Sequence, residues 1–244
     1  MNGGFTIVTD AVDLAAHAAE HFLTLTNAAL EARGRGDVAL AGGSTPRAMN
    51  ELLASAPLRK RLDWSKLRFF FSDERCVPPD HADSNFRMTR ETLFDPLGIH
   101  PDNVFRMQGE LEPTVAAADY DRVLARELGL RPVFDLITLG MGPDGHTASL
   151  FPGTIASIDA ARCAVANYIP KFAAFRITLT PHAINAAAHV MITAGGAEKA
   201  ASLAGVLDGP YDPERYPIQL VAPTQGELHW FVDAAAAAQV DHRD

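Results

Sequence analysis

An aspartate and a histidine lie two residues apart in a glycine-rich segment, and this pair is the clearest chemical signal in the sequence. Asp144 and His146 follow residues 133–139, an apolar run typical of a buried strand. Gly142 and Gly145 predict a tight turn at the carboxyl end of that strand, where open α/β sheets bind ligands. Histidine transfers protons near neutral pH, so we predict an acid–base site. The alternative is a strand–loop–helix joint carrying a solvated Asp–His pair.

A second glycine-rich segment has the composition of an anion site. Gly42, Gly43, Ser44 and Thr45 follow a predicted strand at residues 37–41 and precede a helix that a proline opens. The free amide groups and the dipole at a helix N-terminus both favour a negative charge, so we predict phosphate binding here. The segment lacks the lysine of a Walker sequence. The alternative is that one of the two hydroxyls is a plain helix cap.

Three charged residues follow another buried strand, predicted at residues 67–72. Asp73, Glu74 and Arg75 stand at its carboxyl end, which predicts side chains directed into a crevice, or alternatively a solvated strand end. Arg87 lies in the first turn of a helix predicted at residues 84–94. A cation opposes the helix dipole at that position, so Arg87 is a further candidate ligand.

Two motif matches are weaker than they look. GMGPDG at residues 140–145 fits the dinucleotide fingerprint, but Pro152 interrupts a following helix and no acid lies about 20 residues on. His17 and His21 complete an H-x-x-E-H pattern within an alanine-rich helix, where we expect polar pairs on the solvated face. We therefore predict neither a nucleotide cofactor nor a zinc site from these motifs.

Composition restricts the class of protein. The chain has 244 residues, 48% hydrophobic and 21% charged, with no linker-like segment, which predicts a single α/β domain over residues 1–244. A net charge of −9 argues against nucleic acid and membrane surfaces as partners, although a local basic pocket can still bind an anion. Two cysteines and the lack of a leader-like N-terminus favour a cytoplasmic location. Nothing indicates an obligate protein partner.

Strand and helix patterns alternate along the chain. We predict strands at residues 5–9, 37–41, 67–72, 103–107, 133–139, 162–168, 175–180, 189–193, 218–221 and 229–232, and helices at residues 11–32, 46–53, 84–94 and 113–128. This order predicts a doubly wound, mostly parallel Rossmann-like sheet with helices on both faces. Right-handed crossovers would bring the loops at residues 42–45, 73–75, 144–146 and 198–199 to one edge.

Five motifs in this order resemble one enzyme family. They are LAGGSTP at residues 40–46, DER at 73–75, SNFRM at 84–88, LGMGPDGHTASLFPG at 139–153 and RITLT at 176–180. The chain resembles the 6-phosphogluconolactonase family of the glucosamine-6-phosphate isomerase/deaminase superfamily over nearly its whole length. The resemblance implies hydrolysis of 6-phospho-D-glucono-1,5-lactone in the pentose phosphate pathway, with a sugar-phosphate lactone as the small-molecule partner. It implies neither a metal nor an organic cofactor.

The resemblance also implies roles for individual residues. His146 matches the general base, and the segment from Asp73 to Arg75 lies beside it. The positions that match the sugar-phosphate site of the related deaminases are Gly43, Ser44, Thr45, Arg176 and Lys199. The family often has two prolines before the strand arginine, whereas this chain has FAAF at residues 172–175. We therefore expect a differently shaped loop near the phosphate.

Several points stay open from the residues alone. Asp144 or Asp73 can orient the imidazole, and either Arg75 or the backbone amides of the glycine-rich turn can stabilise an oxyanion. The nearest alternative activity is an amino-sugar phosphate deaminase or isomerase in which Asp73 moves a proton, although the continuation TASLF at residues 147–151, after the histidine, resembles the lactonases more than the deaminases. A non-catalytic sugar-phosphate sensor is the alternative from another class.

Overall fold

Two sheets organise the computed structural model, which describes residues 3–155, 158–159 and 161–241. Within these residues the strands are β1 (Gly3–Val8), β2 (Gly36–Leu40), β3 (Leu67–Phe71), β4 (Asp73–Arg75), β5 (Leu136–Gly140), β6 (Ala164–Ile169), β7 (Ala174–Leu179), β8 (His189–Ala194) and β9 (Glu227–Asp233). The helices are α1 (Ala11–Arg33), α2 (Ser44–Leu53), α3 (Asn85–Thr89), α4 (Asp95–Leu97), α5 (Pro113–Leu128), α6 (Pro181–Asn185) and α7 (Ala200–Leu207).

The larger sheet is parallel throughout its six strands, in the order β1-β9-β8-β5-β2-β3. From β2 the chain moves outward to β3, whereas from β5 it moves the other way, through β8 to β9. The direction of winding therefore reverses between the neighbours β2 and β5, and a crevice forms at such a point. This arrangement confirms the predicted doubly wound, mostly parallel α/β class.

Local sequence accounts for the central elements. All five residues of β2 and four of the five in β5 are buried, as expected for strands covered on both faces. The side chain of Asp10 caps α1 by accepting hydrogen bonds from the amides of Val12 and Asp13. At the other end Gly34, in the left-handed conformation, closes the helix. The helices predicted at residues 11–32 and 113–128 are observed at Ala11–Arg33 and Pro113–Leu128, which confirms both to within one residue.

The prediction of a strand at residues 103–107 is wrong. Val104 makes one isolated bridge to Phe69, and the amide of Phe105 donates to the carbonyl of Phe69. Farther along this edge of β3, the hydroxyl of Tyr120 binds both backbone groups of Phe71, accepting from its amide at 2.8 Å and donating to its carbonyl at 3.1 Å. A side chain therefore satisfies the groups that a longer strand would have paired.

The prediction of a strand at residues 218–221 is also wrong, because Pro217–Leu220 is a 3-10 turn. Its first residue, a proline, has no amide to donate to a ladder, and the amide of Ile218 donates to the carbonyl of Gly145. The helix predicted at residues 84–94 begins as expected, with the hydroxyl of Ser84 capping α3. It continues as a π-helical turn at Arg90–Phe94 before α4.

A second sheet, which we did not predict as separate, is antiparallel in the order β4-β7-β6. Helix α5 packs against β6 and β7, while α1 and α2 pack together beside the central strands. The short strand β4 follows β3 after the single residue Ser72 and so attaches this sheet to the carboxyl end of the larger one. No helix among the described residues is long and apolar enough to cross a membrane.

The Tyr120 hydroxyl gives a test of the packing between α5 and β3. Tyr120→Phe leaves the amide of Phe71 buried without its partner, so we expect a loss of about 1–3 kcal/mol in the free energy of unfolding. Urea denaturation with a constant m-value measures it. Tyr168→Phe, at a side chain that is 46% exposed, is the control and should unfold like the parent. Equal midpoints for the parent and Tyr120→Phe would contradict this role.

Candidate active site

A cleft of about 290 Å³ opens at the carboxyl ends of β2 and β5, where the winding direction reverses. The loops after these two strands form opposite walls, and residues of β4, β7 and the segment before α7 complete it. Nine of the residues predicted from the sequence line this cleft: Gly42, Gly43, Ser44, Thr45, Asp73, Arg75, His146, Arg176 and Lys199. The predicted convergence of loops therefore occurs.

The turn that carries the histidine is closed by its own backbone. The amide of Gly142 donates to the carbonyl of His146 at 2.9 Å, and the amide of Gly145 donates to the carbonyl of Gly142 at 3.0 Å. A Cβ atom at Gly142 would lie 2.0 Å from the imidazole, and Gly145 has a φ of +77°. Glycine is required at the first position for space and is favoured at the second for its backbone conformation.

Asp144, and not Asp73, contacts the imidazole. Nδ1 of His146 lies 2.5 Å from Oδ1 of Asp144, whose other oxygen accepts a hydrogen bond from Lys171 at 3.0 Å. The hydrogen bond with His146, assisted by Lys171, holds the pKa of Asp144 well below its ordinary value. Phe151 stacks on the ring with centroids 4.0 Å apart. An ionised acceptor at Nδ1 fixes the tautomer in which Nε2 carries the free lone pair.

The carboxylate of Asp73 is held by other partners. One oxygen accepts a hydrogen bond from the hydroxyl of Ser149 at 2.7 Å, and the other accepts one from the side-chain amide of Asn85 at 3.1 Å. Asn85 also packs against Gly42, where a Cβ atom would lie 1.9 Å from its side-chain oxygen. Asn85 and Ser149 are residues of the cleft that the sequence analysis missed. Asn85 lies in the SNFRM motif at residues 84–88, and Ser149 lies in the motif at residues 139–153. Membership in these two motifs was the signal that could have identified them.

Two arginines stand side by side on the wall formed by the smaller sheet. Arg75 and Arg176 are partners in the antiparallel register of β4 and β7. Arg75 donates to the carbonyl of Asp83, whereas Nη1 of Arg176 is buried and has no hydrogen-bond partner within the described residues. Burial, followed by the charge of Arg75, lowers the pKa of Arg176. A buried donor beside a like charge is the arrangement that an anionic ligand would stabilise.

The loop before Arg176 places an aromatic ring in the cleft. Pro170–Phe172 forms a 3-10 turn that ends at Ala173, with a φ of +48°. The ring of Phe172 lines the cleft, and the guanidinium of Arg176 lies 5.6 Å from its centroid. The FAAF segment thus supports the arginine through a ring contact.

The N-terminus of α2, where we predicted an anion site, has no side-chain cap. The cap position is Gly43, with a φ of +110°, and neither Ser44 nor Thr45 caps the helix. The alternative of a plain hydroxyl cap is therefore wrong, and both hydroxyls lie at the cleft wall. Lys199 approaches from the turn before α7, and its burial lowers the pKa of its ammonium group.

Arg87 does not line the cleft, which corrects its selection as a ligand candidate. Its Nε donates to Glu91 at 2.7 Å, one helical turn later, and its Nη1 donates to the carbonyl of Asp80 at 3.0 Å. These local partners explain how a cation is tolerated near the start of α3. Among the described residues no α-helix begins between Gly145 and β6, and Glu20 of the H-x-x-E-H pattern pairs with Arg61.

Comparisons with known proteins agree on one family. The family model for glucosamine-6-phosphate isomerases/6-phosphogluconolactonase matches residues 9–230. A 6-phosphogluconolactonase of Treponema pallidum is 47% identical over 178 residues, which cover 71% of this chain and 73% of the relative. One from a Nostoc species is 38% identical over 240 residues, covering 96% and 97%. The solved structure of 6-phosphogluconolactonase from Trypanosoma cruzi matches with a TM-score of 0.87 at 29% identity, covering 98% of this chain and 97% of that one.

The Asp144–His146 pair predicts a dependence of stability on pH. The folded-state pKa of Asp144 is depressed, so its contribution is fully present above the unfolded value of about 4 and is lost as the pH falls toward the folded value. Asp144→Asn should therefore lower the melting temperature at pH 5–7, and the difference from the parent should narrow below about pH 4. Asp80→Asn, at an exposed position, is the control. A difference independent of pH would contradict a stabilising role of the ionised Asp144 carboxylate.

Proposed function

The chain belongs to the family of glucosamine-6-phosphate isomerases and 6-phosphogluconolactonases, and we propose that it hydrolyses 6-phospho-D-glucono-1,5-lactone to 6-phospho-D-gluconate. This reaction is the second step of the oxidative pentose phosphate pathway. One structural observation carries the proposal: a histidine held by Asp144 faces the same cleft as Arg176, whose buried donor lacks a partner. A base and an anion anchor are the two parts that hydrolysis of a phosphorylated lactone requires.

His146 acts as the general base in this proposal. Water attacks the lactone carbonyl carbon while Nε2 of His146 accepts its proton, a contribution of about 10²–10⁴-fold to the rate. The tetrahedral oxyanion then collapses, the bond to the ring oxygen breaks, and the imidazolium returns the proton to that oxygen. The ionised Asp144 keeps the imidazole in the required tautomer and stabilises its charged form. The reaction needs no covalent intermediate, because the lactone carbonyl is already electrophilic.

Arg75 is our candidate for the oxyanion donor. The amides of Gly142 and Gly145 already donate to carbonyls of their own turn. They are therefore less available as oxyanion donors than the sequence analysis assumed. Arg75 lines the cleft and its guanidinium has five donors, of which one binds the carbonyl of Asp83. A well-placed donor to an oxyanion contributes about 10²–10³-fold.

The phosphate group binds Arg176, Lys199 and the N-terminus of α2 in this proposal. A phosphate dianion would satisfy the free donor of Arg176 and offset its repulsion with Arg75. Gly43, Ser44 and Thr45 add backbone amides and hydroxyls at the positive end of the helix. The phosphate lies away from the reacting carbon, so its binding energy serves to orient the lactone.

The deaminase alternative is not favoured. The relatives from Treponema pallidum and the Nostoc species, at 47% and 38% identity, are lactonases. Asp73 would have to move a proton between carbons, yet both of its oxygens accept hydrogen bonds from Ser149 and Asn85. Its role in our proposal is to fix the floor of the cleft. Release of ammonia from glucosamine 6-phosphate would reveal the other activity.

We propose that the chain is a single domain located in the cytoplasm. Strands from both ends of the described chain, including β1 and β9, contribute to one hydrophobic core. Cys76 and Cys163 are both free thiols, which favours a reducing compartment. The absence of nucleic-acid, membrane and obligate protein partners stays a prediction from composition.

His146→Gln tests the base. Glutamine can hydrogen-bond water but cannot accept its proton, so kcat should fall about 10²–10⁴-fold while KM changes little. The rate of the parent enzyme should rise as an essential group loses its proton, and this acidic limb should be missing in the variant. Lactone opening, corrected for spontaneous hydrolysis, is the assay. His100→Gln, at an exposed histidine, is the control. A folded His146→Gln enzyme with near-parental kcat would exclude the assignment.

Arg176→Ala tests the anchor. Charge-assisted hydrogen bonds contribute about 1.5–3 kcal/mol, so kcat/KM for the phosphorylated lactone should fall roughly 10–150-fold. The same variant should treat unphosphorylated gluconolactone as the parent does. Arg87→Ala is the matched control, since that arginine lies outside the cleft. An equal loss on both lactones would show that Arg176 does not bind the phosphate.

A further inference from the structure

Three histidines and a glutamate gather at the end of the parallel sheet opposite to the cleft. His189 opens β8 and Glu227 opens β9, and these two residues are partners in the parallel register. His229 follows two residues later, so its side chain is on the same face as that of Glu227. Helix α1 lays His21 against this group, with its ring centroid 4.4 Å from that of His229. No residue of this cluster lines the cleft.

The spacing of the side-chain atoms matches the coordination sphere of a small cation. Oε2 of Glu227 lies 3.0 Å from Nε2 of His229 and 3.5 Å from Nδ1 of His189. All three ligand atoms lie within 4.8 Å of one another. Ligands about 2.0–2.1 Å from a tetrahedral metal are separated by about 3.4 Å, so small rotations of the side chains would complete the geometry.

Two ring nitrogens of the cluster lack the partners that buried polar atoms need. Nδ1 of His189 and Nε2 of His21 are buried and make no hydrogen bond to any described residue. Burial lowers the pKa of His189, and burial with the neighbouring histidines lowers that of His21 to about 4. A neutral imidazole with an unpartnered ring nitrogen is the form that binds a metal ion.

We propose that His189, Glu227 and His229 bind a divalent transition-metal cation of the zinc class. Two imidazoles and one carboxylate form a ligand set that zinc uses in proteins, with a fourth position for water. The ring of His21, whose Nε2 has no hydrogen-bond partner among the described residues, lies beside that of His229 with centroids 4.4 Å apart. The carboxylate of Glu227 is half exposed, which gives the ion a path from solvent. Imidazole ligands favour zinc, copper and nickel over magnesium or calcium.

The site would stabilise the fold and would not take part in lactone hydrolysis. His189 begins β8, whereas Thr193, near its other end, lines the cleft. The two residues are four positions apart along the strand, which is about 13 Å. A cation held by β8 and β9 binds the folded state and not the unfolded chain, so it raises the melting temperature by mass action. The alternative is that Glu227 only orients His229 through their hydrogen bond.

Calorimetric titration of tag-free, chelator-treated protein with ZnCl₂ separates these two cases. The parent should bind one Zn²⁺ and melt at a higher temperature in its presence, whereas Mg²⁺ should have no effect. Glu227→Gln and His229→Gln should each weaken Zn²⁺ binding by at least about tenfold. If His229→Gln folds poorly, Glu227→Gln decides, because it alters a half-exposed side chain. Its lactone hydrolysis should match that of the parent.

Two control variants exclude other sites. His100→Gln breaks an exposed pair with Asp102, at 3.5 Å, that has no third ligand beside it. His146→Gln removes another histidine–carboxylate pair, the one that His146 forms with Asp144. Both should keep the affinity and stoichiometry of the parent for Zn²⁺. Unsaturable binding, equal affinity in Glu227→Gln, or loss of the site in His146→Gln would each overturn the proposal.

Discussion

The adjacency of β2 and β5 in the parallel sheet is the constraint on which the cleft depends. Each strand ends in a glycine-rich segment, and the reversal of winding between them leaves the space above both segments uncovered. One segment starts a helix whose terminus is free to bind an anion, and the other folds back around an imidazole. A single topological feature thus places the proposed phosphate anchor and the proposed base around one cleft.

The smaller sheet supplies the positive charge that the whole protein lacks. The chain carries a net charge of −9, yet Arg75 and Arg176 are neighbours across β4 and β7. Their mutual repulsion and the burial of Arg176 are unfavourable in the free protein and would be relieved by the anion that we propose binds there. Because charges separated by more than a Debye length are screened, this local pair outweighs the distant acidic surface.

Acidic side chains in and beside the cleft have different duties, which hydrogen-bond partners decide. Asp144 binds the imidazole and Lys171, so it remains ionised and holds His146 in the tautomer whose Nε2 is unprotonated. Asp73 binds Ser149 and Asn85 and thereby joins the smaller sheet to α3. Glu74, buried next to it, accepts hydrogen bonds from the backbone amides of Asn85 and Phe86 at the start of α3. All three acids follow the carboxyl end of a strand in the sequence, so their positions alone did not show which of them contacts the imidazole.

Hydrophobic periodicity and glycine-rich turns act over short distances, so the sequence was enough to predict the mostly parallel α/β class, most element boundaries and nine of the cleft residues. The acid that contacts His146 could be identified only from the folded chain, since the contact depends on how a turn closes around glycines. In the folded protein the hydroxyl of Tyr120 binds backbone groups of Phe71 that a longer strand at residues 103–107 would have paired. Arg87 pairs with Glu91 and does not line the cleft. The histidine–glutamate cluster unites residues from α1, β8 and β9, whose approach follows from strand order and is not encoded in any local pattern.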